Sequence, residues 1–312
     1  MIRVGVIGVG HLGQHHARLL ASMPGVTLAG VVDIKPGRAE EIASKYGVPG
    51  YTDVTKLFAQ VDAVSIAVPT VAHVEVALPF IERGIAALVE KPLAVSLAEA
   101  DRLIDAASRR GTLLAAGHTE RFNPAVVAAL PLVTRPRFVE VHRLGTFPER
   151  SLDIDVIFDL MIHDFDLLLA AVKSEVVSIE AVGVNVLTPK TDIANVRLRF
   201  ADGGIANLTA SRISRERVRK ARFFQTDSYV SIDYAAQEVE VYRLLRDESA
   251  AAARPIIKGG RLAVTQQEPL LCELVDFVDA VRTGRAPGVT GEAGREALRL
   301  ATRVAAAIEE AV

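Results

Sequence analysis

The chain holds a single cysteine, Cys272, and no tryptophan. One cysteine excludes an intramolecular disulfide and points to a reducing compartment, the cytoplasm. Aromatic residues make up only 5%, whereas hydrophobic residues reach 50%, so the interior is expected to be built from Val, Leu, Ile and Ala. Neither sign of charge is in excess. A net charge of −2 leaves no global positive field to hold nucleic acid. No apolar run is long enough to span a bilayer, so no membrane partner is expected. The first apolar run begins at Ile2, and no leader peptide is expected ahead of it.

What is present starts at once. The apolar run Val4 to Val9 leads into Gly8-x-Gly10-x-x-Gly13, followed by a helical pattern, His15 to Ala21, and a second apolar run, Val26 to Val32, ending at Asp33. Gly8 permits the sharp turn. Gly10 lets the backbone approach a pyrophosphate, and Gly13 lets the helix sit against the strand. The helix N-terminus offers free N–H groups to the anion. Asp33 stands 20 residues beyond Gly13, the spacing of an acid that accepts from the adenosine ribose hydroxyls. Dinucleotide binding is expected, with Gly8, Gly10, His11, Leu12, Gly13, Asp33 and Arg38 as cofactor contacts. The expected cofactor is NAD, with NADP the alternative because Lys35 and Arg38 follow Asp33 closely.

Strand-like and helical runs alternate up to about residue 118, which predicts a doubly wound parallel sheet of the Rossmann type. A short helix is expected at 54–59. Beyond that point strands follow one another, predicting an α+β domain with an open, mainly antiparallel sheet. One helix, 156–171, interrupts it, strands are expected at 176–187 and 194–200 among others, and 248–261 reads as a loop. The boundary is placed near residue 120, giving 1–120 as the NAD-binding domain and 121–312 as the substrate and oligomerisation domain, with helices closing the chain.

Three further motifs carry chemistry. Val68-Pro69-Thr70-x-x-His73 sits at the carboxyl end of the third strand, where ligands bind in such sheets. Pro69, Thr70 and His73 are candidate cofactor contacts, or an ordinary strand-to-helix turn. Glu90-Lys91-Pro92 ends the next strand on the same rim, and both Glu90 and Lys91 count as cofactor contacts. Lys91 is either a partly enclosed lysine acting on a substrate hydroxyl or a surface lysine before a helix. Asp159 and His163, four apart on the 156–171 helix, share a face and fit a carboxylate-oriented general acid–base pair. A solvated helix face gives the same spacing. No cysteine joins them, and no metal is expected.

Taken in order with Gly117-x-x-x-Arg121-Phe-x-Pro124 and Asp159-x-x-x-His163-x-x-Asp166, these motifs resemble the glucose–fructose oxidoreductase/inositol dehydrogenase (Gfo/Idh/MocA) family over nearly the whole chain. The resemblance implies oxidation of a secondary sugar or polyol alcohol by a nicotinamide cofactor, with Lys91, Asp159 and His163 as the catalytic set. It also implies a homo-oligomer, dimer or tetramer. Many members carry a glycine run before the aspartate and a glycine between Asp and His; here those positions are Asp153-Ile-Asp155 and Met161. The surrounding residues look more like members acting on UDP-linked amino sugars, so a 3-dehydrogenase of UDP-N-acetylglucosamine is expected. Arg121, Asn123, Asp166 and Arg219 are the candidate substrate contacts. The basic stretch Arg212, Arg215, Arg217, Arg219, Lys220, Arg222 reads either as a diphosphate clamp or as a solvated strand face. A free sugar or polyol dehydrogenase, or a nicotinamide-binding sensor without chemistry, are the alternatives. The intact trio of Lys91, Asp159 and His163 favours an enzyme.

Overall fold

The computed structural model describes residues 1–147, 154–245 and 256–310. Asp153 and the 248–255 part of the expected loop lie outside them. The chain forms two compact units, Met1–Thr119 with Glu268–Leu298, and Glu120–Gln267 with Arg299–Val312.

In the first unit strands and helices alternate: β1 (Ile2–Ile7), α1 (Gly13–Ser22), β2 (Val26–Val32), α2 (Pro36–Tyr46), β3 (Gly50–Tyr51), β4 (Ala63–Ile66), α3 (His73–Ile81), β5 (Ala86–Glu90), α4 (Leu97–Arg110) and β6 (Leu114–Gly117). The sheet order is β3-β2-β1-β4-β5-β6, and every pair is parallel. The winding reverses between β1 and β4, so a crevice opens beyond the carboxyl ends of these strands. Every residue of β4 and β5 is buried, as expected of strands covered on both faces. Ser96 caps α4 by accepting from the Glu99 N–H, and Gly111 ends it in the left-handed conformation, φ 62°. The expected helix at 54–59 is instead a 3-10 turn, Val54–Leu57. The Asp53 carboxylate takes both the N–H and the hydroxyl of Thr55, which tightens the turn.

The second unit opens with α5 (Pro124–Ala129), β7 (Phe138–Leu144) and α6 (Ile162–Ala171). The strands β8 (Val176–Val184), β9 (Ile193–Phe200), β10 (Ile205–Ser211), β11 (Val218–Phe224), β12 (Ser228–Asp233), β13 (Glu238–Leu245) and β14 (Ile256–Arg261) follow. Their order is β14-β13-β12-β11-β7-β10-β9-β8. All neighbours are antiparallel except β10 and β7, which pair in parallel. Period-two alternation buries Val139 and Val141, Leu198 and Phe200, and Ala221 and Phe223 on one face. Two expectations shift. β8 stops at Val184 rather than 187, because the Asp192 carboxylate draws the N–H groups of Val186, Leu187 and Thr188 out of the ladder. Part of the expected 248–261 loop is β14, which pairs with β13.

Helices α7 (Pro269–Thr283) and α8 (Gly291–Glu310) close the chain. The sequence placed all of 121–312 in one domain, but 268–298 belongs to the first unit. The apolar stripe of α7, with Leu270, Leu274, Phe277 and Val278, enters the same core as Val4, Leu20 and Leu28. A surface helix buries its stripe on whichever layer is uncovered, and periodicity does not say which.

Candidate active site

The first unit builds its candidate cofactor site from main chain. Gly8 has φ +79°, and a Cβ there would stand 2.7 Å from the Ala67 carbonyl oxygen. A Cβ on Gly13 would run into the Gly8 carbonyl, whereas one on Gly10 would meet nothing within 4 Å. Gly8 and Gly13 are therefore needed by the fold itself, while Gly10 leaves space outward. Asp33, at the end of β2, accepts from the N–H of Val9 and of Lys35, each at 3.0 Å. These bonds aim its carboxylate beside the glycine turn. Arg38 donates from Nε to the Val9 carbonyl at 2.7 Å and from a terminal nitrogen to Gln14 at 3.0 Å, bracing the turn. A cavity of about 550 Å³ opens here, and Gly8, Gly10, His11, Asp33, Arg38 and Pro69 are among its walls. A glycine floor, helix N–H groups and a carboxylate at the far end fit a dinucleotide.

The other expected cofactor residues of this unit lie off that wall. Leu12 is exposed and precedes Gly13 at the start of α1, and Thr70 opens a short 3-10 turn. His73 is buried. Its Nδ1 lies 2.9 Å from the Pro92 carbonyl and its Nε2 3.0 Å from that of Val68, and the neutral ring, with one N–H, donates to one of the two. Burial holds its pKa below the usual histidine value. Glu90 is buried at the end of β5, and Lys91 is half-buried after it, ahead of a cis bond to Pro92.

The second unit uses side chains. Asp159 lies on a π-helical turn, Ile157–Met161, which runs directly into α6 carrying His163. The sequence expected one uninterrupted α-helix; the wider turn is a form that concentrates at functional sites. Asp159 and His163 are half-buried, whereas Asp164, Phe165 and Asp166 beside them are buried. The pair is thus partly accessible on a largely buried segment.

Two arginines hold that helix. Arg121 forks onto Asp166 with bonds of 2.9 and 2.6 Å and adds one to its carbonyl. Arg143, on β7, forks onto Asp164 at 2.8 and 2.7 Å and reaches Glu120 at 2.9 Å. Burial would lower the Arg143 pKa, but Asp164 and Glu120 raise it above its ordinary value. The sequence expected Arg121, Asn123 and Asp166 to reach substrate. Each also makes hydrogen bonds within the unit. Arg121 and Asp166 hold each other, and Asn123 caps α5 and donates to the Tyr234 carbonyl at 2.9 Å. Arg143, Glu120 and Asp164 were missed, since a buried partner many residues away leaves no mark in local spacing.

The basic stretch divides. Arg212 is buried on Asp192 at 2.7 Å. Lys220 and Arg222 pair with Asp233 and Glu140. Arg215, Arg217 and Arg219 are exposed. Arg219 stands opposite Arg143 in the β11–β7 register.

Comparison with known proteins agrees with this geometry. Residues 2–118 match the model of the oxidoreductase family with an NAD-binding Rossmann fold, and residues 135–230 match the GFO/IDH/MocA C-terminal domain. The chain is 40% identical to the UDP-N-acetylglucosamine 3-dehydrogenase of Acidithiobacillus ferrooxidans, over 99% of this chain and 97% of that one. The solved structure of that enzyme superposes with a TM-score of 0.91 at 39% identity, covering 99% of this chain and 98% of the other. The Myo-inositol 2-dehydrogenase of Thermotoga maritima is 26% identical over 99% of this chain and 97% of its own. A levoglucosan dehydrogenase in complex with NADH shares the fold, with a TM-score of 0.86 at 18% identity over 99% and 97% of the two chains. The chain belongs to the GFO/IDH/MocA family and is an NAD-dependent oxidoreductase of sugar hydroxyls.

Proposed function

We propose that the chain oxidises the 3-hydroxyl of a UDP-linked N-acetyl hexosamine to a 3-keto sugar. The observation that carries this is its full-length likeness to the A. ferrooxidans enzyme of that name. Arg215, Arg217 and Arg219 support it, because exposed guanidiniums suit a diphosphate and a free polyol has no use for them. Arg219 is the one assigned to substrate. NAD+, when bound, supplies the hydride acceptor. His163 takes the hydroxyl proton on its ring, and Asp159 orients that ring. The Lys91 ammonium steadies the alkoxide as charge develops. Arg121 and Asp166 keep α6 in place beneath. Asp33 accepts from the ribose hydroxyls and repels a 2′-phosphate, which favours NAD over NADP.

The same reading places the chain in the cytoplasm, on its single cysteine. It also makes the chain a homo-oligomer joined through the outward sheet face. Phe138, Phe224, Tyr229 and Tyr242 line up on that face with ring centroids 5.5, 5.0 and 6.2 Å apart in turn. Sedimentation at micromolar concentration should show a species larger than a monomer.

A second reading, free polyol oxidation, draws on the full-length likeness to the inositol enzyme. NAD+ reduction with UDP-N-acetylglucosamine, myo-inositol and glucose supplied separately decides between them. Turnover on the UDP-sugar is expected; turnover on inositol or glucose alone overturns the assignment.

A further inference from the structure

Glu90 brings a carboxylate into the buried end of β5, one residue ahead of Lys91. Such a place ordinarily drives a carboxyl toward its neutral form. Three features hold it there. His16 lies on the inner side of α1, fully buried, with Nε2 3.1 Å from Glu90 Oε1. The other ring nitrogen, Nδ1, is 2.7 Å from the hydroxyl of Ser65 on β4, itself fully buried. Glu90 Oε2 accepts from the main-chain N–H of Lys91 at 3.2 Å.

The space for this carboxylate comes from a missing side chain. Gly117 of β6 pairs with Glu90, and a Cβ at 117 would stand 3.0 Å from Glu90 Cδ and 3.1 Å from Oε2. Burial would raise the Glu90 pKa, but the hydrogen bond and charge of His16, with Lys91 beyond, hold it below the usual value. Among the described residues, His16 from α1, His73 from α3 and Lys91 itself are titratable groups acting on it, and His118, buried, follows its strand partner Gly117. The ring of His73 lies between the Pro92 and Val68 carbonyls.

We propose that Ser65, His16 and Glu90 are positioning residues for Lys91. They form a buried file that sets one carboxylate against the main-chain N–H of Lys91 and so holds the root of the lysine in place. This rests on Lys91 being the group that steadies the alkoxide. None of the three is assigned contact with the reacting atoms; they act through the lysine.

The decisive variant is Glu90→Gln, which keeps the shape and removes the charge. Three quantities are measured on the full chain. They are the alkaline limb of the kcat–pH profile with NAD+ and UDP-N-acetylglucosamine, the Lys91 pKa from pH-dependent acetylation read by mass spectrometry with NADH bound, and the Kd for NADH. Losing a neighbouring anion favours the neutral amine. Both pH readouts should therefore move toward acid by about one unit. kcat at neutral pH should fall roughly tenfold, and the Kd should stay within about twofold of wild type. Glu90→Asp should recover part of the shift. A lower melting temperature with both pH readouts unmoved means a structural role only and overturns the proposal. If Glu90→Gln does not fold, Ser65→Ala carries the same acetylation test, and an unchanged Lys91 pKa there overturns the proposal too. Lys91→Met separates the underlying assumption. Full turnover in that variant removes Lys91 from the chemistry, whereas the acetylation result reports on Glu90 regardless.

Discussion

The two units hold their candidate site residues by opposite means. Around Gly8, Gly10 and Asp33 the first unit works with backbone: glycine torsion, helix N–H groups, and a carboxylate aimed by two amides. Around Asp159 and His163 the second unit works with buried ion pairs, Arg121 on Asp166 and Arg143 on Asp164. A backbone cradle tolerates no side chain where it touches the ligand but costs little to desolvate. A buried ion pair is indifferent to ligand, but losing one partner leaves an uncompensated charge in the interior. The first design therefore fails in binding and the second in stability.

The largest expected effect follows from that difference. Arg143→Met strands the Asp164 carboxylate and should destabilise the second unit by about 3–5 kcal/mol in denaturant unfolding. Lys220→Met, which breaks a largely exposed pair with Asp233, should cost under about 1 kcal/mol. Equal losses in the two variants would erase the contrast between buried and surface pairs.

Gly10→Val probes the cradle from the other side. Its new side chain meets open space, so melting should be unchanged, yet it occupies the approach to the pyrophosphate. NADH affinity should fall roughly thirtyfold, about 2 kcal/mol, by calorimetric titration. Unchanged affinity would mean that the backbone does not come close to the cofactor here.

Asp33→Asn removes the charge and leaves one oxygen, which can accept from the Val9 or the Lys35 amide but not from both. The preference for NAD over NADP should drop about tenfold, roughly 1.4 kcal/mol. A preference that stays put would move discrimination to Lys35 and Arg38.

His73 gives the smallest effect. Its folded pKa is held below the unfolded value by burial, so the unfolded chain binds the proton more readily. Its contribution to stability is fully present above about pH 6.5 and is lost as pH falls through the folded value. His73→Gln should flatten the acid-side decline in melting temperature. A steeper decline would reverse the sign argued here.

The same contrast explains what could be read in the sequence. Gly8, Gly10, Gly13 and Asp33 are legible because the constraint on each is local, set by a turn, a helix start and a strand end. The alternation of Val139 and Val141 likewise marks a strand covered on one face. Arg121 and Asp166 stand 45 residues apart, and their pairing depends on how α6 lies in its unit. No spacing rule encodes that pairing. His16 did carry a signal, a polar residue on the apolar stripe of α1 with Leu19 and Leu20, but its partners Ser65 and Glu90 come from other strands. The return of α7 to the first unit was hidden for the same reason.

The central claim is that the open face of the 157–171 segment carries the proton chemistry while the glycine cradle carries only the cofactor. Single-turnover oxidation of UDP-N-acetylglucosamine by His163→Ala, measured beside its NADH Kd, tests this directly. The account predicts that the transfer step slows by roughly 10²-fold or more, while the Kd stays within about twofold. Near-full transfer by His163→Ala would contradict it, leaving Lys91 as the proton carrier.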